Sequence, residues 1–129
     1  MGTKDQTERT AWRDGLIPVS TLFDDPYFSL AGGFAETRHV FLAGNDLPVR
    51  LRPGFRIAEL GFGTGLNLIA TALAAGSTGP VHYTSFEAFP MPPEDMARAL
   101  SAFPEIAAPA HALINAWSTG ARRFTLGAV

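Results

Sequence analysis

The chain has 129 residues, and its 47% hydrophobic and 17% charged content is typical of one folded domain and not of a disordered segment. Its net charge of −2 gives no strong basic field for capturing nucleic acid, and the lack of cysteine excludes disulfides, zinc–thiolate sites and cysteine nucleophiles. No apolar run is long enough to span a membrane and the first residues lack a signal-peptide pattern, so we expect a soluble, cytoplasmic protein that makes no membrane contact.

The first part of the chain, residues 1–54, is predicted to be an N-terminal extension with a helix that precedes the sheet. Residues 1–14 are polar, and we expect them to be frayed. Residues 16–29 are rich in proline, aspartate and aromatic side chains and should pack against the domain. The apolar pattern of residues 34–42 predicts a helix, which the Gly-Asn pair shortly after it ends.

Asp24 and Asp25 precede Pro26, and this sequence predicts a turn because a residue before proline is disfavoured in the α region. The aspartates and Tyr27 have two interpretations. They form a structural turn with its aromatic ring in the core, or they line the reacting end of a ligand site as weak catalytic candidates. His39 has no metal-ligand partner at a helical spacing, and we predict no metal site.

The central stretch of the sequence is an apolar strand, residues 55–60, that runs through a glycine-rich turn into an apolar helix ending near Ala75. Gly61, Gly63 and Gly65 alternate in the turn. Glycine adopts positive φ without a steric penalty and allows a ligand to approach the backbone closely. The turn therefore predicts a floor under a bound nucleotide.

The residues around these glycines indicate which nucleotide. A dinucleotide fingerprint has two residues between its second and third glycines, whereas here Gly65 comes one position early and Leu66 follows it. Glu59 stands two residues before the first glycine, where its charge would repel a pyrophosphate and attract a ligand with sulfonium and ammonium groups. These features favour S-adenosylmethionine over a nicotinamide dinucleotide.

Residues 81–87 predict the next strand, which ends in Glu87 about twenty residues beyond the glycines. An acid at this place in a doubly wound sheet accepts hydrogen bonds from both ribose hydroxyls. The alternative is that the glycines form only a tight turn and that Glu87 is a solvated strand end. Farther along, residues 93–103 predict a helix, residues 105–117 a weakly amphipathic stretch, and residues 123–126 the start of another strand.

Several of these segments, in this order, are closely similar to one family, the methyltransferase domain of the tRNA 5-methylaminomethyl-2-thiouridine biosynthesis protein MnmC and its stand-alone relatives. The segments that carry the resemblance are Phe23-Asp24-Asp25-Pro26-Tyr27-Phe28-Ser29, Glu36-Thr37-Arg38-His39-Val40-Phe41-Leu42, Ala58-Glu59-Leu60-Gly61-Phe62-Gly63-Thr64-Gly65-Leu66-Asn67 and Ser85-Phe86-Glu87. The resemblance implies an α/β, Rossmann-like class I methyltransferase fold with S-adenosylmethionine as cofactor. The residues that would bind the cofactor are Glu59, Gly61, Phe62, Gly63, Gly65, Asn67 and Glu87.

The resemblance also implies a reaction and partners. The family methylates the aminomethyl nitrogen of a modified wobble uridine in tRNA, and many members carry a flavin-dependent oxidoreductase domain after the methyltransferase. The family domain continues for about another hundred residues, with a motif that faces the methyl group. We therefore expect residues 55–129 to be the first part of the domain, without its C-terminal half and most catalytic residues, and we expect weak tRNA binding. The alternative is a non-catalytic fragment that binds S-adenosylmethionine or forms homo-oligomers through its open sheet.

Overall fold

The computed structural model of the protein describes residues 10–15, 17–21, 25–27 and 33–129, and within these residues the fold is mixed α/β. The strands are β1 (Thr10–Arg13), β2 (Ile17–Ser20), β3 (Asp25–Pro26), β4 (Arg56–Leu60) and β5 (His82–Phe86). The α-helices are α1 (Gly33–Thr37), α2 (Leu66–Ala75), α3 (Pro93–Leu100) and α4 (Ala107–Ser118). A π-helical turn, Arg38–Leu42, and a 3₁₀ turn, Ala43–Asn45, continue α1, and another 3₁₀ turn, Pro104–Ile106, precedes α4.

The N-terminal strands form a hairpin, so the prediction that residues 1–14 are frayed is wrong for Thr10–Arg13. β1 pairs antiparallel with β2, and the connection uses positive φ at Asp14 (54°) and Gly15 (75°). Arg98 of α3 holds the hairpin down, because its guanidinium lies 4.0 Å from the centre of the Trp12 ring and donates hydrogen bonds of 3.1 and 2.8 Å to the Gly15 carbonyl. Arg98 therefore fastens the connection of the hairpin to α3, in addition to the packing of Pro18 and Val19, which are buried.

The Asp-Pro sequence also differs from its prediction. Asp25 and Pro26 form β3 and extend the hairpin, with Val19 opposite Pro26, and Tyr27 N–H donates a 2.9 Å hydrogen bond to the Pro18 carbonyl. Asp25 is therefore extended and is not in a turn. An extended backbone is the other conformation that a following proline favours. Asp24 and the Asp25 side chain lie outside the described residues.

The centre of the fold is a β–α–β unit, which confirms the two predicted strands and the helix between them. β4 and β5 are parallel and in register from Arg56 opposite His82 to Leu60 opposite Phe86. α2 begins directly after the glycine-rich turn and ends at Gly76. Parallel strands need such a crossover connection, and helices usually supply it.

The helices build the larger core. Side chains from α2, α3, α4 and the turn before α4 meet there, and Ile69, Met96, Ile106 and Leu113 are fully buried. The indole N–H of Trp117 donates a 2.8 Å hydrogen bond to the Met91 carbonyl and fixes the end of α4. A smaller apolar cluster under α1 and α2 contains Leu42, Leu47 and Ala70.

The prediction of a strand at residues 123–126 is wrong, since this segment has no regular secondary structure. Gly127, with φ of 60°, reverses the chain directly after it. Leu126 and Val129 then exchange backbone hydrogen bonds of 2.7 and 3.1 Å with each other. Past the reversal, the Ala128 carbonyl accepts a 2.9 Å hydrogen bond from Val81 N–H, just before β5.

One face of the β4–β5 sheet is open. Ile57, Glu59, Tyr83 and Ser85 lie on the covered face, and the alternate residues lie on the other. Leu60 and Phe86, which are cross-strand neighbours, are 90% and 61% exposed. Parallel sheets are usually covered on both faces, so the bare apolar pair is unusual for this arrangement.

Candidate functional site

The glycine-rich turn connects the carboxyl end of β4 to the first residue of α2. Gly61, Gly63 and Gly65 have φ of 88°, 58° and 82°, all in the region that favours glycine. Gly61 N–H donates a 2.7 Å hydrogen bond to the Phe86 carbonyl, and Gly65 N–H donates a 3.0 Å bond to the Phe62 carbonyl. The turn is therefore tied to β5 and folded tightly before the helix begins.

The three glycines serve different purposes. A Cβ atom on Gly61 would meet no atom of the described residues within 4 Å, so they leave this side of the turn open. A Cβ atom on Gly65 would lie 2.5 Å from Leu113 and 3.0 Å from the Phe62 ring, so Gly65 is required by the packing of α4 against the turn. Of the three glycines, Gly61 is thus the one at which the described residues leave space beside the backbone.

Tyr27 is brought to the turn by β3. A Cβ atom on Gly63 would lie 3.3 Å from the Tyr27 ring, which is half-buried. Tyr27, one of the weak catalytic candidates, therefore lies next to the glycine-rich turn that is the predicted cofactor floor. The side chains of Asp24 and Asp25 lie outside the described residues, and their role stays a prediction.

Phe62 points away from the open side of the turn. Its ring is 8% exposed and is stacked on Trp117 with the ring centres 4.9 Å apart and an interplanar angle of 11°. The Arg122 guanidinium lies 5.4 Å from the centre of the Trp117 ring. The side chain of Phe62 thus belongs to the contact between the turn and α4, and only its backbone borders the open side.

Glu87 follows β5 and reaches across to the turn. One carboxylate oxygen accepts a 3.0 Å hydrogen bond from Gly63 N–H, and the other accepts a 3.1 Å bond from Phe89 N–H. The side chain is half-buried. Glu87 is therefore held beside the glycines by backbone donors, with part of its carboxylate accessible to a further donor.

Glu59 lies in a different environment. It is 7% exposed, and its carboxylate accepts 2.8 Å hydrogen bonds from the side-chain amide of Asn67 and from the hydroxyl of Ser85. Two of the predicted site residues, Glu59 and Asn67, are thus hydrogen-bonded to each other beneath the turn. Ser85 was not identified from the sequence. The signal that could have identified it is its place directly opposite Glu59 in the parallel pairing of β4 with β5.

Tyr83 completes this buried group. Burial raises the pKa of the Tyr83 phenol far above its ordinary range, and the negative charge of Glu59 raises it further. Within the described part of the chain, no hydrogen bond of normal geometry reaches the buried phenol oxygen. The phenol therefore stays neutral beside the carboxylate of Glu59.

A cavity of about 1050 Å³ extends from the turn along β5 to residues 122–129. Phe62, Glu87 and Trp117 line its end at the turn, and its other walls include Arg122 and Arg123. For residues 10–15, 17–21, 25–27 and 33–129, no group of three or more histidine and acidic side chains is arranged to hold a metal ion. Within the same ranges, no helix has the length and apolar character required to cross a bilayer.

Comparison with known proteins gives one consistent name, although no family model matches the chain. Proteins named "tRNA 5-methylaminomethyl-2-thiouridine biosynthesis bifunctional protein MnmC" are 48% identical over 104 residues in Leptospira borgpetersenii serovar Hardjo-bovis (strain JB197) and 43% identical over 120 residues in Aeromonas salmonicida (strain A449). The protein of that name in Caulobacter sp. (strain K31) is 43% identical over 126 residues.

The matches cover 74%, 84% and 88% of this chain but only 16%, 18% and 21% of the respective relatives. The chain therefore spans about a fifth of the length of the curated relatives it matches. Over most of its own length the chain is thus MnmC-like, and it matches only a part of each of these relatives.

Proposed function

We propose that this chain provides the S-adenosylmethionine-binding part of a class I, Rossmann-like methyltransferase that acts on tRNA. The support comes from the relatives, whose name describes a tRNA modification, and from the β4–α2–β5 unit, whose glycine-rich turn has an acid at the end of the neighbouring strand. Residues 55–129 form the first part of that domain in this proposal, and residues 1–54 form the segment that precedes the sheet.

The observation that carries the proposal is the open backbone at Gly61 beside the carboxylate of Glu87. Among the described residues no atom lies within 4 Å of a Cβ placed on Gly61, so they leave this side of the turn open to a ligand, and the half-buried carboxylate of Glu87 can accept hydrogen bonds from ribose hydroxyls. Gly63 and Gly65 shape the turn. When bound, the cofactor supplies an electrophilic methyl group, and the protein's task is to fix its adenosine and to exclude water.

The proposed acceptor is the aminomethyl nitrogen of a modified wobble uridine. An amine attacks a methyl group only when it is unprotonated and aligned, so the site must hold a neutral amine near the turn. Tyr27, in contact with Gly63, is a candidate for that side of the site. A flavin-dependent oxidoreductase domain, fused or as a partner, would match the word bifunctional in the relatives' name.

Calorimetry with S-adenosylhomocysteine tests the cofactor. We expect binding in preference to NAD, and we expect Glu87→Ala to weaken it by about 1–3 kcal/mol, the usual cost of deleting a charged acceptor. Glu94→Ala, an exposed acid in the first turn of α3, is the matched control and should bind like the wild type. Equal affinity for NAD, or an unchanged dissociation constant for Glu87→Ala, would refute the assignment.

Gel-shift titration tests the tRNA part. With a net charge of −2, residues 1–129 can neutralise few phosphates, and each phosphate contact contributes a salt-dependent share of affinity. We expect micromolar or weaker binding with a shallow salt slope, and tighter binding by a full-length relative. Tight binding that collapses steeply with salt would contradict this and would indicate phosphate contacts by arginines such as Arg50, Arg52 and Arg56.

A second candidate function is a non-catalytic, self-associating S-adenosylmethionine-binding protein. The exposed pair of Leu60 and Phe86 on the open sheet face favours it, because bare apolar sheet faces and edges promote association. Sedimentation analysis of the wild type and of Leu60→Ser tests the self-association. A dimer that Leu60→Ser dissociates supports self-association, whereas a monomer at every concentration excludes it.

A further inference from the structure

Glu59 is the buried acid of the β4–α2–β5 unit, and its position differs from that of Glu87. It lies on the covered face of the sheet together with Ile57, whereas Glu87 lies beyond the end of β5. Its carboxylate oxygens accept hydrogen bonds from Asn67 and Ser85, and only 7% of the residue is exposed. A group in this place has little surface with which to meet a ligand.

We infer that Glu59 is a positioning residue, which holds the glycine-rich turn through Asn67 and Ser85 and makes no direct contact with the charged end of a bound cofactor. The part of this inference that concerns ligands rests on the proposed function. The part that concerns the turn does not, because it describes the protein without ligand.

The bond to Asn67 is what couples Glu59 to the turn. Glu59 is in β4 and Asn67 is the second residue of α2, so their 2.8 Å hydrogen bond closes a loop that contains all of the turn's glycines. Glycines have more conformational freedom to lose than other residues, and a bond across the base of the loop limits that freedom. Glu59 therefore restricts the backbone that would form the cofactor floor.

The bond to Ser85 fixes the other side. Ser85 lies directly opposite Glu59 in the parallel pairing of β4 with β5, and its hydroxyl donates the second 2.8 Å hydrogen bond. Glu87 follows two residues later and accepts from Gly63 N–H. One buried carboxylate thus sets the position of the helix start on one side and of the strand that carries Glu87 on the other.

The Glu59→Gln variant separates positioning from a direct electrostatic contact. An amide can accept from Asn67 through its oxygen and donate to the Ser85 hydroxyl through its nitrogen, so both links survive without the charge. A positioning residue should tolerate this change, whereas a residue that attracts a cation should not. Glu59→Ala removes both links and leaves the Asn67 amide without its acceptor.

A set of three ligands measures the charged contact directly. S-adenosylmethionine carries a sulfonium and an ammonium group, S-adenosylhomocysteine carries only the ammonium, and 5′-methylthioadenosine carries neither. We expect Glu59→Gln to change all three dissociation constants by less than threefold, and Ser85→Ala to weaken all three by one common factor of about tenfold. A loss of tenfold or more in Glu59→Gln that follows ligand charge, largest for S-adenosylmethionine and smallest for 5′-methylthioadenosine, would overturn the inference.

Hydrogen exchange on the ligand-free proteins provides a readout that requires no cofactor. We expect the amides of residues 61–67 to exchange at least tenfold faster in Glu59→Ala and in Ser85→Ala than in the wild type, and at the wild-type rate in Glu59→Gln. Unchanged exchange in Ser85→Ala, which removes only a hydroxyl, would overturn the positioning role even if Glu59→Ala fails to fold. If the wild type binds none of the three ligands, the proposed function fails, while the exchange experiment still decides whether Glu59 holds the turn.

Discussion

Replacing Gly65 by alanine tests whether this glycine is required by packing or by a ligand. The new Cβ atom would lie 2.5 Å from the Leu113 methyl group and 3.0 Å from the Phe62 ring, and the residue would keep a φ of 82°. Positive φ costs a non-glycine residue about 1–2 kcal/mol. Inserting a methyl group into a packed core costs about 1–3 kcal/mol more. We therefore expect a loss of about 2–5 kcal/mol of unfolding free energy.

Gly61→Ala is the matched control for this experiment. Gly61 has a φ of 88°, but its Cβ atom would meet nothing within 4 Å in the described part of the chain, so we expect the backbone cost of about 1–2 kcal/mol alone. Urea unfolding followed by tryptophan fluorescence, to which Trp12 and the Trp117 stacked on Phe62 both contribute, measures both variants. If Gly65→Ala is no less stable than Gly61→Ala, α4 does not pack on the turn as described. For affinity the order should reverse: among molecules that remain folded, Gly61→Ala should bind S-adenosylhomocysteine more weakly than Gly65→Ala, because its Cβ atom occupies the open side.

Two further variants test contacts outside the turn. The folded-state pKa of Tyr83 is raised, so its contribution to stability is complete below pH of about 10, the unfolded value, and is lost as the pH rises above it. The alkaline decline of unfolding free energy should therefore be smaller in Tyr83→Phe than in the wild type. An identical decline in both proteins would refute this. Arg98→Ala removes the contact with Trp12 and the hydrogen bonds to the Gly15 carbonyl. The β1–β2 hairpin should then lose about 1–2 kcal/mol of local stability, which amide exchange would show as faster exchange in β1 with little change in α2. Unchanged exchange in β1 would show that other contacts hold the hairpin.

The central β–α–β unit was predictable from the sequence because its signals are local and agree with one another. A short apolar strand, alternating glycines and an apolar helix that stops at Gly76 each specify one element and its end. The N-terminal hairpin was not predicted, although the Asp14-Gly15 pair is a common hairpin turn. One of the contacts that hold it comes from Arg98, which is 83 residues away from Gly15 in the sequence.

The strand predicted at residues 123–126 was wrong for a related reason. Phe124 and Thr125 have high β-propensity, but a strand exists only when its backbone groups find a partner. Here Gly127 reverses the chain, and Leu126 exchanges its hydrogen bonds with Val129. Propensity describes which conformation a residue accepts, whereas the pairing depends on residues that a local pattern does not include.

The two acids of the candidate site illustrate how far residue type and spacing can predict a role. Glu59 and Glu87 have the same side chain, and each follows an apolar stretch near the glycines. Glu59 is within β4 on the face that helices cover, so the fold uses its carboxylate for internal hydrogen bonds. Glu87 is past the last residue of β5, where the alternation of faces no longer applies, and its carboxylate reaches the edge of the turn. The parity of a residue within its strand, and whether it lies inside or beyond the strand, therefore decide which acid can meet a ligand. The sequence predicted both strands, but it did not predict which face of β4 the helices would cover.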